Sequence, residues 1–123
     1  MKMKIFKDFV FEAAHRLPLV PSKHKCSNLH GHSFKTRVFV EGPVNKLGWV
    51  IDFSEIKKVC GPVIEKLDHS FLNEIEGLEN PTSENIAIWL WCNIKKNLPE
   101  LASIEVMETC TSGCIYSGED LLD

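Results

Sequence analysis

His32-Ser33-Phe34-Lys35-Thr36-Arg37-Val38-Phe39-Val40 is the run that decides how the chain folds. His32, Phe34, Thr36, Val38 and Val40 alternate with Ser33, Lys35, Arg37 and, just beyond, Glu41. Side chains two residues apart on an extended chain project to the same side, so the pattern predicts a strand with one face in a core and the other in water. Upstream, Ile5 to Ala13 is rich in Phe and Val. It predicts a first strand that ends at Ala14-His15-Arg16, before the Pro18 to Pro21 segment interrupts any ladder.

Downstream the period changes. Phe53, Ile56, Val59, Cys60, Val63, Ile64 and Leu67 recur at helical spacing and predict an amphipathic helix over Phe53 to Leu67, bent at Gly61-Pro62 where the proline removes a backbone donor. Pro81-Thr82-Ser83-Glu84 offers a capping side chain and an early negative charge. Ile86, Ala87, Leu90, Trp91 and Ile94 then form the apolar face of a second helix that stops before Pro99. Ser103 to Thr109 and Cys114 to Tyr116 flank Thr111-Ser112-Gly113 and predict a closing hairpin with that tripeptide as its turn. The order β-β-α-α-β-β is an α+β architecture, a four-stranded antiparallel sheet with two helices on one face. Its other face is left to water or to a partner, and Trp49, Trp89 and Trp91 would suit a core or an interface equally well.

Bulk properties narrow the class. With 123 residues, 44% of them hydrophobic and 25% charged, and no repeats or linkers, the chain is expected to be one domain spanning 1–123. A net charge of -3 gives no overall attraction to phosphate backbones, so nucleic acid is not the expected partner. No apolar run approaches the roughly 20 residues that cross a bilayer. MKMKIFKDF lacks the features of a secretory signal, and a cytoplasmic location is expected. The cysteines Cys26, Cys60, Cys92, Cys110 and Cys114 are odd in number without a C-x-x-C pair, and are read as thiols. Cys60 and Cys92, set among apolar helical residues, are expected to be buried and inert, whereas Cys26 lies in a polar loop.

The chemistry concentrates in Cys26-Ser27-Asn28-Leu29-His30-Gly31-His32. His30 and His32, with Cα atoms roughly 6.6 Å apart on one face of a strand, can converge on a point, and Gly31 between them leaves room for a ligand. Antiparallel pairing brings the end of the first strand beside the start of the second, which makes His15 the natural third ligand. Three imidazoles and one open position describe a catalytic zinc site. An H-x-H pair also occurs by coincidence, and His24 is a competing ligand set on a flexible approach to the strand. Around it, Arg16, Lys23 and Lys25 would attract an anion or simply form a solvated loop. Past the first helix, Asp68-His69 pairs a carboxylate with an imidazole whose tautomer it can fix, though the same dipeptide serves equally as a surface cap. Cys26 is the other candidate acid or base. These groups together point to chemistry on a small polar substrate.

Six stretches in order carry a wider likeness: Phe11 to Leu17, Cys26 to His32, Gly48 to Phe53, Leu67-Asp68-His69, Pro81 to Asn85 and Glu108 to Tyr116. Together they resemble the 6-pyruvoyltetrahydropterin synthase family. The C-x-x-x-H-G-H spacing and the E-T-C-T-x-G-C-I-Y ending are similar to its bacterial branch, QueD, the 6-carboxy-5,6,7,8-tetrahydropterin synthases. The resemblance implies Zn2+ on His15, His30 and His32, Cys26 as catalytic base, Asp68 and His69 as a proton-transfer dyad, and Glu108 as the anchor of the pterin ring. It also implies the tunnelling fold, a homo-oligomer with active sites at subunit interfaces, and a pterin triphosphate as substrate. The implied reaction is a carbon–carbon lyase step that releases acetaldehyde in queuosine biosynthesis. The same ligands serve members that retain the side chain, and a non-catalytic zinc or pterin-binding module is the alternative of another class.

Overall fold

The computed structural model describes residues 2–119, so the expected single domain over 1–123 includes Met1 and residues 120–123, which lie outside the described residues. The chain forms β1 (Met3–His15), β2 (His30–Gly42), α1 (Phe53–Leu67), β3 (Ser70–Phe71), α2 (Ser83–Ile94), β4 (Leu101–Thr109) and β5 (Ser112–Tyr116), with short 3-10 turns between them. The sheet order is β3-β1-β2-β4-β5. Neighbours run antiparallel except β3, which lies parallel to β1 through Ala13 and Ala14. The sheet is therefore five-stranded and mixed rather than four-stranded and antiparallel. A strand of two residues is too short to show any alternation, and it left no mark in the sequence pattern.

Pairing of β1 with β2 fixes the rest. Phe11 stands opposite Phe34, Ala13 opposite His32 and His15 opposite His30. The helix-facing residues Phe11, Ala13, His15, Phe34, Thr36, Val38 and Val40 are buried, as are Ile104 and Val106 of β4. Phe11 and Phe34 stack with ring centroids 5.0 Å apart. Both strands outrun the predicted spans because backbone pairing continues past the last apolar side chain.

Ile56, Cys60, Val63, Ile64 and Leu67 of α1, and Ile86, Ala87, Leu90, Trp91 and Ile94 of α2, close the core over that face. Asp52 caps α1 by accepting from the Ser54 amide at 2.9 Å, and Thr82 caps α2 by accepting from Asn85 at 3.1 Å. The α1 helix runs on through Pro62 to Leu67. Cys60 is buried, and burial pushes its thiol up to about 12. Cys92 is exposed, contrary to expectation, because it follows Trp91 around the helix onto the solvent side. All five cysteines are free. The opposite sheet face carries exposed Phe6, Val10 and Ile115 around a charged group formed by Asp8, Lys35 and Arg37.

The closing hairpin departs from its prediction. Thr109 pairs with Ser112, so the turn is Cys110-Thr111, and Ser112 and Gly113 belong to β5. The register steps by one between Met107 and Thr109, leaving Glu108 as the extra residue of a bulge. Gly113 permits this close packing: a Cβ there would stand 2.6 Å from the Val106 carbonyl oxygen.

Candidate active site

His15, His30 and His32 emerge on the core face at the end of β1 and the start of β2. Their ring centroids are 4.6 Å apart for His15 and His30, 5.3 Å for His15 and His32, and 4.8 Å for His30 and His32. The bulge turns Glu108 toward them, with Oε1 3.0 Å from Nε2 of both His15 and His32. One ligand atom from each of the four residues lies within 4.8 Å of all the others, so the cluster could hold a metal ion. Gly31 faces the other side of the sheet and leaves no room at the histidines, because successive residues on a strand alternate faces.

The hydrogen bonding tests whether these residues fit a cation. Nδ1 of His15 lies 2.8 Å from the Pro81 carbonyl, and Nδ1 of His30 lies 2.7 Å from the Asn28 carbonyl. A carbonyl only accepts, so both Nδ1 atoms carry the proton, and in the neutral rings Nε2 presents a lone pair inward. His15 is fully buried, and its Nε2 makes no well-directed hydrogen bond despite the nearby carboxylate oxygen. A lone pair facing a carboxylate oxygen in a buried place costs free energy unless a proton or a cation lies between them. Burial lowers the His32 pKa, with Glu108 opposing it, and so favours the neutral ligand form. Contact with His15 holds the Glu108 carboxyl below its ordinary range against the effect of burial, and Ser83 Oγ donates to its Oε2 at 3.2 Å. The donor set and the fixed tautomers fit a zinc-like ion.

Cys26 joins this group. With Lys25, His30, His32, Glu108 and Thr109 it lines a cavity of about 460 Å³. His24 is not in the histidine cluster: its Nδ1 accepts the Cys26 amide at 3.0 Å and so helps to shape the loop that presents the thiol.

Asp68 and His69 lie elsewhere. They form a pair, Asp68 Oδ2 being 3.0 Å from His69 Nδ1. His69 lines a second cavity of about 600 Å³ with Glu12, Gly31 and Ser33, beside β3, and His32 borders both this cavity and that of Cys26. The β1 backbone clamps the dyad at Glu12, whose amide donates to Asp68 Oδ1 at 2.8 Å and whose carbonyl accepts from the His69 amide. The Glu12 amide first, and then contact with His69, hold the Asp68 carboxyl below its ordinary range. His69 itself stands at a φ of 57°, left-handed backbone that few non-glycine residues adopt. The imidazole is 79% exposed and free to meet an incoming group. Within one chain, then, the cavity of Cys26 and the histidines does not contain the dyad. Sequence reading missed the Pro81 carbonyl, Ser83 and the Glu12 clamp. Main-chain contacts carry no residue signature, and Ser83 read only as part of a helix cap.

Comparison with known proteins bears on this arrangement. The family model described as 6-pyruvoyl tetrahydropterin synthase matches residues 4–119. A 6-carboxy-5,6,7,8-tetrahydropterin synthase of Synechocystis sp. is 46% identical over 119 residues, covering 91% of each chain. A dihydroneopterin monophosphate aldolase of Pyrococcus furiosus is 44% identical over 99 residues, covering 80% of this chain and 81% of that one. The structure of the Caenorhabditis elegans 6-pyruvoyl tetrahydropterin synthase superposes with a TM-score of 0.89 at 28% identity, over 97% of both chains.

Proposed function

Since this chain belongs to the 6-pyruvoyl tetrahydropterin synthase family, we propose that it is a zinc-dependent 6-carboxy-5,6,7,8-tetrahydropterin synthase of the cytoplasm. It takes 7,8-dihydroneopterin triphosphate and water to 6-carboxytetrahydropterin, acetaldehyde and triphosphate, a carbon–carbon lyase reaction serving queuosine biosynthesis. The observation that carries the reading is the single cavity in which a thiol, Cys26, meets His30, His32 and Glu108, in a chain 46% identical to a relative of that name.

His15, His30 and His32 hold the zinc ion, which when bound supplies Lewis acidity to the oxygens of the substrate side chain. Glu108 orients the ring: a pterin presents a planar N–H edge that a carboxylate can accept in two parallel bonds. Cys26 removes a proton from the substrate side chain, and His69, its Nδ1 held by Asp68, returns one to the substrate from its other ring nitrogen. Moving two protons off the side chain, one from a C–H and one from its O–H, onto the carbon and nitrogen of the ring C=N bond oxidises the side-chain alcohol to a carbonyl and converts the dihydro ring to the tetrahydro form without an outside reductant. Because neither Asp68 nor His69 lines the Cys26 cavity of its own chain, a homo-oligomer in which one copy brings its dyad to the Cys26 cavity of another fits this division of labour. The exposed Phe6, Val10 and Ile115 offer apolar surface for such assembly.

Incubating the zinc-loaded protein with 7,8-dihydroneopterin triphosphate should release acetaldehyde in step with triphosphate. A product that keeps its three-carbon side chain would assign the 6-pyruvoyl activity instead. The Pyrococcus relative favours a second reading, an aldolase acting on the monophosphate, and turnover of that compound in preference to the triphosphate would select it. Binding of zinc and pterin without turnover of either compound would leave a binding module.

A further inference from the structure

The loop between β1 and β2 carries charge that the chemistry above does not use. From Glu12 to Glu41 the sequence contains no other acidic residue, yet it places Arg16, Lys23, Lys25, Lys35 and Arg37 there, in a chain whose net charge is -3. These cations divide into two sets. Lys35 and Arg37 sit on the outer sheet face against Asp8, at 3.4 and 2.7 Å. Arg16, Lys23 and Lys25 form no ion pair among the described residues.

The loop that bears this second set is tied down. The Leu17 amide donates to the Cys26 carbonyl at 2.7 Å, and the Asn73 side chain holds both the amide and the carbonyl of Arg16, at 3.0 and 2.8 Å. Nε of Arg16 donates to the Ser27 carbonyl at 3.2 Å, which fixes the near end of the guanidinium and leaves its terminal nitrogens available. Lys25 stands in the wall of the cavity that also holds Cys26, His30, His32 and Glu108. Uncompensated positive charge held at the rim of a cavity raises the local concentration of anions and orients them.

We propose that the loop from Arg16 to Lys25 binds the phosphate chain of the substrate, with Lys25 at the cavity wall and Lys23 and Arg16 supplying the surrounding field. This rests on the pterin reading above and deepens it. A single carboxylate would need one cation, whereas a chain of phosphates spreads several negative charges over a length that several cations along a loop can match. The ligand is thereby divided: its ring lies at Glu108, its reacting side chain at the histidines and Cys26, and its anionic tail along the loop.

The test compares two oxidised, unreactive pterins, neopterin and neopterin triphosphate, by fluorescence titration of the zinc-loaded protein at low salt. The wild type is expected to bind the triphosphate more tightly, with an advantage that shrinks as salt rises. Lys23→Ala combined with Lys25→Ala should reduce that advantage by about tenfold, the scale of one charge-assisted contact at Lys25, and by a smaller further factor for the field of Lys23, with neopterin affinity, zinc content and Tm unchanged. Lys25→Arg, tested alone, should keep most of it. An undiminished advantage in the double variant would overturn the loop assignment while leaving the pterin reading intact, as would an equal loss for both ligands. A wild type that binds neither pterin would overturn both.

Discussion

Asp8 and Glu108 are carboxylates on opposite faces of one sheet, and they meet their cationic neighbours in different ways. Asp8 accepts two N–H bonds from Arg37, at 2.7 and 3.0 Å, with Lys35 at 3.4 Å, so every charge has a partner and every acceptor a donor. Glu108 faces two imidazole nitrogens at 3.0 Å, and the buried one, Nε2 of His15, has no proton to offer because the neutral ring's proton is held at the Pro81 carbonyl. The outer cluster is complete in itself. The inner one is complete only when something positive joins it, and that difference separates a structural group from one built to receive.

The largest effect should come from removing one of the inner ligands. His30→Ala is expected to drop zinc from one per chain to a trace and turnover to background, read by metal analysis and an acetaldehyde assay; full metal occupancy would break the contrast. Cys26→Ala, next in size, should leave zinc in place and cut turnover by about a hundredfold to ten-thousandfold. Unchanged turnover would take the thiol out of the mechanism. Stripping the metal with a chelator should lower stability by about 3–4 kcal/mol if zinc had been present at several hundred times its Kd. The corresponding fall in Tm should be as large in Asp8→Asn as in the wild type, because the outer cluster plays no part in it.

The smallest effect belongs to Asp8→Asn itself, about 1 kcal/mol or less at neutral pH, since the pair is partly exposed and screened. Its pH dependence sharpens the comparison. Arg37, and to a lesser degree Lys35, hold the Asp8 carboxyl below its ordinary value of 3.8. A lowered folded-state pKa contributes stability that is present above the unfolded value and lost as pH falls through the folded one. Urea midpoints below about pH 4 should therefore fall less steeply in Asp8→Asn than in the wild type, and parallel acid limbs would contradict the pairing.

Much of this was legible in the residues because it follows from period. The alternation of His32 to Val40 and the helical stripe from Ile56 to Leu67 each report a buried face, and antiparallel pairing alone brings His15 to His30. What escaped depends on the main chain or on single-residue steps. The β3 strand is two residues that pair by backbone. The bulge that aims Glu108 is one residue out of register, and it moved the predicted turn from Thr111-Ser112-Gly113 to Cys110-Thr111. The Pro81 carbonyl that sets the His15 tautomer would be the same oxygen on any residue. Nor does adjacency in sequence say which way Asp68 and His69 turn, and neither lines the cavity of Cys26.

His15 and His30 occupy the terminal rung of the β1–β2 ladder. An ion shared between them stitches two strand ends that would otherwise fray, so its escape is governed by the unzipping of the sheet rather than by exchange at an open surface. Bound metal should therefore be lost slowly even where its equilibrium affinity is modest, and amide protons at Ala14 and Gly31 should exchange with deuterium on the same clock.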